Sequence, residues 1–155
     1  MRMIELYPAG QRVELGSLRF TAADIIRFAT EFDPQPFHTD AEKARDTMFG
    51  ALCASGWHTC AGWMKTMVAF RESEAKRLAA QGIEPPRIGP SPGFRNLRWL
   101  KPVFAGDTIT YYQTPLDSRA SRSRPGLWIN TGLSEGINQH GEPVLSFESS
   151  VIEHA

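Results

Sequence analysis

Residues 33–38 read Asp-Pro-Gln-Pro-Phe-His, and they hold the two side chains best suited to moving protons. An imidazole titrates near neutral pH, and a carboxylate beside it orients the ring or shares a bound water, so Asp33 and His38 suit general acid/base catalysis. Fully extended, the five residue steps between them span roughly 17 Å, too far for both to reach one water, so this chemistry requires the backbone to turn. Pro34 and Pro36 restrict that segment. Spacing alone is equally satisfied by a plainer arrangement, in which Asp33 ends a helix and His38 sits on a surface loop.

Other residues invite chemistry with less support. Ser55 and Gly56 precede a long helical stretch, where backbone N–H groups suit a developing oxyanion. Ser is also a good N-cap, and Gly permits close packing. Cys53 and Cys60 match neither a CxxC pair nor a zinc-ligand spacing. They read as small buried residues, with a site using Cys53, His58 and Cys60 as the alternative. No metal and no redox cofactor is expected.

The charges bound the partners. Lys plus Arg (17) equals Asp plus Glu (17) in 155 residues, so no overall positive field attracts nucleic acid or an anionic membrane. An anionic ligand needs local cations, for which the candidates are Arg95, Arg98 and Lys101, and the Arg119, Arg122, Arg124 cluster. No apolar run reaches the ~20 residues of a membrane span, and the first residues lack the apolar core of a secretory signal. A single domain, residues 1–155, in the cytoplasm is expected.

The elements that must position these residues follow from periodicity. Residues 12–20 alternate around Val13, Leu15, Leu18 and Phe20, which predicts an opening strand or hairpin. Thr21 with Asp24 is a capping pair, and Ile25, Phe28, Ala29 and Phe32 make an amphipathic helix that the prolines stop. Residues 33–38 read as loop. Thr39 with Glu42 predicts a second cap and a helix over residues 40–46. A long helix is expected over residues 57–80, its first half buried and its second exposed. A Pro/Gly-rich loop follows, then strands near residues 94–100, 108–114, 127–133 and 144–152. Helices first and strands afterwards give an α+β class with an antiparallel sheet.

The stretch from Phe20 to Thr59 resembles the MaoC-like dehydratases and (R)-specific enoyl-CoA hydratases. The likeness rests on the capped helix with Phe28 and Phe32, then Asp33, Pro36, His38, Asp40, Ala44, Phe49-Gly50 and Ala54-Ser55-Gly56. Leu100-Lys101-Pro102-Val103 and Gly106-Asp107-Thr108-Ile109 extend it. The resemblance implies a hotdog fold, a curved antiparallel sheet wrapped around a long central helix. It implies Asp33 and His38 as catalytic residues holding one water, with Ser55, Gly56 and Thr59 as supporting or oxyanion groups. Gln35, Phe37, Arg98 and Lys101 are the expected substrate contacts. Gln35 stands where the family usually has Asn, and Ser55 where it frequently has His. His58 stands where the family is usually apolar. It reads as a buried ring bonded to a backbone carbonyl, with a pocket-facing ring as the alternative.

The resemblance thus implies a hydro-lyase interconverting 2-enoyl and (R)-3-hydroxyacyl thioesters of coenzyme A or a carrier protein, with coenzyme A present only as part of the substrate. It also implies a homodimer or a multiple of dimers. A hotdog thioesterase and a non-catalytic acyl-thioester-binding domain are the alternatives. His38 discriminates them, because carboxylate-driven hydrolysis can proceed without it.

Overall fold

In a computed structural model that describes residues Met1–Ala155, the chain begins with a short helix, α1 (Met3–Leu6), that the sequence pattern did not announce. Strand β1 (Val13–Arg19) follows where the alternation predicts it. Helix α2 (Ala22–Phe32) starts at Thr21, whose side chain accepts from the Asp24 N–H, and ends at Asp33. Both ends agree with the capping and proline signals.

Residues 33–38 are not simply loop. Pro36–Thr39 forms a helical turn, α3, with Pro36 at its start, where a missing N–H costs nothing and the fixed φ favours helix. The next cap is also one residue later than expected. Asp40, not Thr39, accepts from the N–H groups of Glu42 and Lys43 and opens α4 (Ala41–Arg45). The Thr39 hydroxyl instead donates back to Gln35 O at 3.2 Å.

Helix α5 (Gly56–Ala80) is capped by Ser55 and runs across the concave face of the sheet. Gly62 lets it approach closely: a Cβ there would lie 2.7 Å from the Tyr111 hydroxyl and about as near Leu18 and Phe20. The Tyr111 hydroxyl donates to Thr59 O at 2.8 Å, tying helix to sheet. The expected split into a buried first half and an exposed second half is too simple. Thr59, Gly62, Trp63, Thr66 and Met67 are buried, while Trp57, Met64 and Val68 on the other face are exposed.

The last three strands are longer than the sequence reading placed them, while the strand near residues 94–100 keeps its length and starts one residue earlier. β3 (Gly93–Trp99), β4 (Thr108–Ala120), β5 (Leu127–Ile137) and β6 (Pro143–His154) follow a two-residue strand, β2 (Arg87–Ile88), inside the predicted loop. All pairings are antiparallel, in the order β1-β4-β5-β6-β2, with β3 also on β6. The core includes Leu15, Phe20, Ile25, Trp63, Ile109, Tyr111, Leu145 and Phe147 between helix and sheet. Each such side chain contributes roughly 1.5–3 kcal/mol when buried. This is the hotdog fold. No helix is long and apolar enough to cross a membrane.

Candidate active site

The end of α2, the turn α3 and the start of α5 meet at one point, and each delivers one polar group. Asp33 arrives as the residue ending α2, His38 from α3, and Ser55 as the cap of α5. His38 Nε2 lies 3.4 Å from Asp33 Oδ2, with side chains only 8% and 17% exposed. The turn that the chemistry requires is therefore made.

The protonation of His38 follows from its other nitrogen. Nδ1 lies 2.6 Å from Cys53 O, and a carbonyl can only accept, so Nδ1 carries the hydrogen. In the neutral ring Nε2 is then a bare lone pair. It faces a carboxylate oxygen, another acceptor, at a distance longer than a charge-assisted bond of ~2.8 Å. Two acceptors set this way are both satisfied by the two hydrogens of a single water.

Asp33 is held as a carboxylate. Burial pushes its pKa up, but donated bonds from Ser55 Oγ and Gln35 Nε2 outweigh that and hold it below its ordinary value. Ser55 Oγ donates to Oδ2 at 2.7 Å and Gln35 Nε2 to Oδ1 at 2.7 Å. Gln35 thus reaches the site through Asp33. Phe37 stands edge-on to the His38 ring at 4.5 Å and packs on Phe49, buttressing the imidazole.

The expected supporting groups separate. Ser55 has one hydroxyl proton, and Asp33 takes it, so its geometry is that of a positioning group and helix cap. Gly56 N–H has no intramolecular acceptor and remains a free donor at the α5 N-terminus. The Trp99 ring covers this glycine so closely that a Cβ would lie 2.3 Å from it. The Thr59 hydroxyl donates to Gly56 O at 2.6 Å, inside its own helix, and forms no hydrogen bond with Asp33 or His38.

The cations also divide. Lys101 is bound to Glu142 and Arg95 to Glu148, whereas Arg98, exposed beside Trp99, has no ion pair. Arg119, Arg122 and Arg124 lie at the far end of the β4–β5 hairpin. β4 begins beside the Cys53–Phe104 bridge and runs 13 residues away from it, about 40 Å along the strand. They cannot serve the dyad of their own protomer.

His58 is not bonded to a carbonyl. Its Nδ1 is buried without a partner, and the ring is stacked on Phe28 at 4.6 Å and edge-on to Phe20. Burial lowers its pKa, which outweighs the attraction of Asp24. It joins no metal-ligating group with Cys53 and Cys60, and no three His, Cys, Asp or Glu side chains cluster as ligands. Burial, assisted by the Asp33 charge, pushes the Cys53 thiol up to about 11, so it is no nucleophile at neutral pH. The contribution of Cys53 is its carbonyl, which side-chain patterns do not reveal.

Residues 7–126 match the MaoC like domain family. The chain belongs to that family. It is 31% identical over 149 residues, 96% of either chain, to the uncharacterized protein YdeM of Bacillus subtilis (strain 168). It is 36% identical to the MaoC-like dehydratase from Rhodospirillum rubrum, whose crystal structure superposes with a TM-score of 0.79 over 97% of this chain and 95% of that one. An (R)-hydratase from A. caviae involved in PHA biosynthesis matches at 25% identity and a TM-score of 0.59, covering 92% and 94% of the two chains. This MaoC-like domain thus sits among dehydratases and hydratases.

Proposed function

We propose that this MaoC-like protein is a hydro-lyase that adds water to a 2-enoyl thioester, giving the (R)-3-hydroxyacyl product, or runs the reverse. The observation that carries this reading is the facing pair of acceptors, Asp33 Oδ2 and His38 Nε2 at 3.4 Å, with the His38 tautomer fixed by Cys53 O. Such a pair orients one water by both hydrogens and leaves its oxygen lone pairs toward the alkene. As that oxygen bonds C3, the dyad takes one water proton and the alkene electrons move through C2 onto the thioester oxygen. The proton then returns to C2 from the same side, which restores the dyad. The free Gly56 N–H at the α5 N-terminus is the group offered to the developing oxyanion. Arg98, the unpaired cation beside Trp99, is assigned to the phosphates of a coenzyme A or carrier-protein thioester.

The test is a hydration assay with crotonyl-CoA at saturation and chiral analysis of the product. Asp33→Asn and His38→Ala should each lower turnover by about a hundred- to ten-thousand-fold. The double variant should lose little more than either single, because both groups act on one water. Release of free thiol without hydration, or full turnover in His38→Ala, would replace this reading with the thioesterase.

A further inference from the structure

His58 is a titratable group that the hydration chemistry leaves unused, and it stands between the two helices that deliver Asp33 and Ser55. Its ring is stacked on Phe28 of α2 at 4.6 Å, with 7° between the planes, and is edge-on to Phe20 at 4.8 Å. Phe28 packs in turn on Phe32, the residue before Asp33. Buried Ile25 and Ala29 hold the middle of α2 to the core, but Phe32 is 67% exposed. Two contacts then tie the end of α2 to the start of α5: the Ser55–Asp33 hydrogen bond and, about one turn further along α5, the His58–Phe28 stack.

The surroundings of the ring favour its neutral form. Nδ1 is buried without a partner, so no acceptor holds a hydrogen there, and the neutral ring carries its proton on Nε2. A second proton would go to Nδ1, where nothing accepts it. The charges that act on the ring are Asp24 and Arg27, both on α2 and paired with each other at 2.5 Å. Phe20 and Phe28 bring none. A phenyl ring would fill the same gap without an orphan nitrogen, so packing alone does not account for an imidazole here.

We propose that His58 is a positioning residue for Asp33, acting through Phe28: its uncharged ring seats the end of α2 on α5, and charging the ring unseats it. Its effect on turnover rests on the hydratase reading; the contact between the helices does not. Burial lowers the pKa of His58 in the folded chain. As the pH falls below the ordinary imidazole value of about 6.5, the unfolded chain therefore takes the proton first, and the fold loses stability from there down to the lowered value. In molecules that stay folded, a charged ring leaves the Phe28 stack and Asp33 loses its alignment with Ser55.

The experiment compares the full chain as wild type, His58→Phe and His58→Ala, by crotonyl-CoA hydration across pH and by amide hydrogen exchange. His58→Ala should lower kcat by about ten- to a hundredfold with KM nearly unchanged, as a displaced dyad does. It should also speed exchange at residues 30–33 by about tenfold, while residues 25–29 keep their protection. His58→Phe, which keeps a flat ring in the gap, should restore both at neutral pH. In wild type, kcat should show an acid limb that coincides with the charging of His58, followed by its ring-proton NMR shifts, and His58→Phe should lack that limb. Identical pH profiles in wild type and His58→Phe, equal losses in both variants, or unchanged exchange in His58→Ala would overturn the proposal. If wild type does not hydrate crotonyl-CoA, the hydratase reading fails and the exchange measurement alone decides on His58. Should His58→Ala not fold, the exchange and pH profiles of wild type against His58→Phe decide.

Discussion

A neutral imidazole has one proton for two nitrogens, and here a backbone carbonyl decides where it sits. Cys53 O holds it on His38 Nδ1, Asp33 faces the vacant Nε2, and Ser55 with Gln35 keeps Asp33 ionised. Ser55 therefore acts on the dyad through Asp33, and removing its hydroxyl withdraws a bond that favours the charged carboxylate. The Asp33 pKa is depressed in the folded chain. Its ionisation thus adds stability above the unfolded carboxylate value of about 3.9, and that stability is lost as the pH falls through the folded value. Ser55→Ala should raise the Asp33 pKa, move that loss of stability to higher pH and lower turnover, while Ser55→Thr should restore all three. A carbon-detected NMR titration of the Asp33 carboxyl checks it, and an unchanged midpoint in Ser55→Ala would remove Ser55 from the site.

Gly56 shows how one element fixes another. A Cβ there would meet the Trp99 indole at 2.3 Å and 2.6 Å, so the start of α5 and the end of β3 are in register only with glycine. Gly56→Ala should lower stability by about 1–3 kcal/mol by overpacking. In a denaturation cycle with Trp99→Ala, the double variant should lose less than the sum of the singles, and strict additivity would show that the contact does not constrain the helix. The Ser55-Gly56 start of α5 is legible in the sequence because a cap and a small residue precede an apolar run. So are the Thr21 cap and the Asp33 stop, which depend on local chemistry. What was not legible depends on contacts distant in sequence. The Cys53 carbonyl carries no side-chain signal, Thr59 turns its hydroxyl into its own helix, and only the length and direction of β4 remove the Arg119 cluster from the dyad. The turn at Pro36 was missed because a proline that ends one helix also begins the next.

At the scale of the molecule, the outer face of α5 and the last strand-edge residues remain apolar. Trp57, Met64 and Val68 are 52%, 50% and 45% exposed, and their spacings of seven and four put them within about 20° of one helical line. Phe94, Trp99 and Leu100 on or beside β3 are exposed as well. The outer side of β3 has no neighbouring strand, and a register shift between Arg95 and Arg98, with Asn96 at φ 56, kinks it. That kink hinders unlimited edge-to-edge pairing, while the helix face stays open. A contiguous apolar patch of this kind is characteristic of an interface. We therefore expect this MaoC-like protein to form a homodimer through α5 and β3, which places the partner beside Gly56 and Trp99, at the mouth of the dyad. Light scattering at micromolar concentration should give twice the 17.3 kDa chain mass. Met64→Glu and Val68→Glu, both far from Asp33 along the helix, should each shift the protein toward monomer, since a buried uncompensated carboxylate opposes association. Turnover should fall with the dimer fraction and recover as protein concentration rises. A wild-type monomer, or glutamate variants that remain dimeric, would show that this face is not the interface.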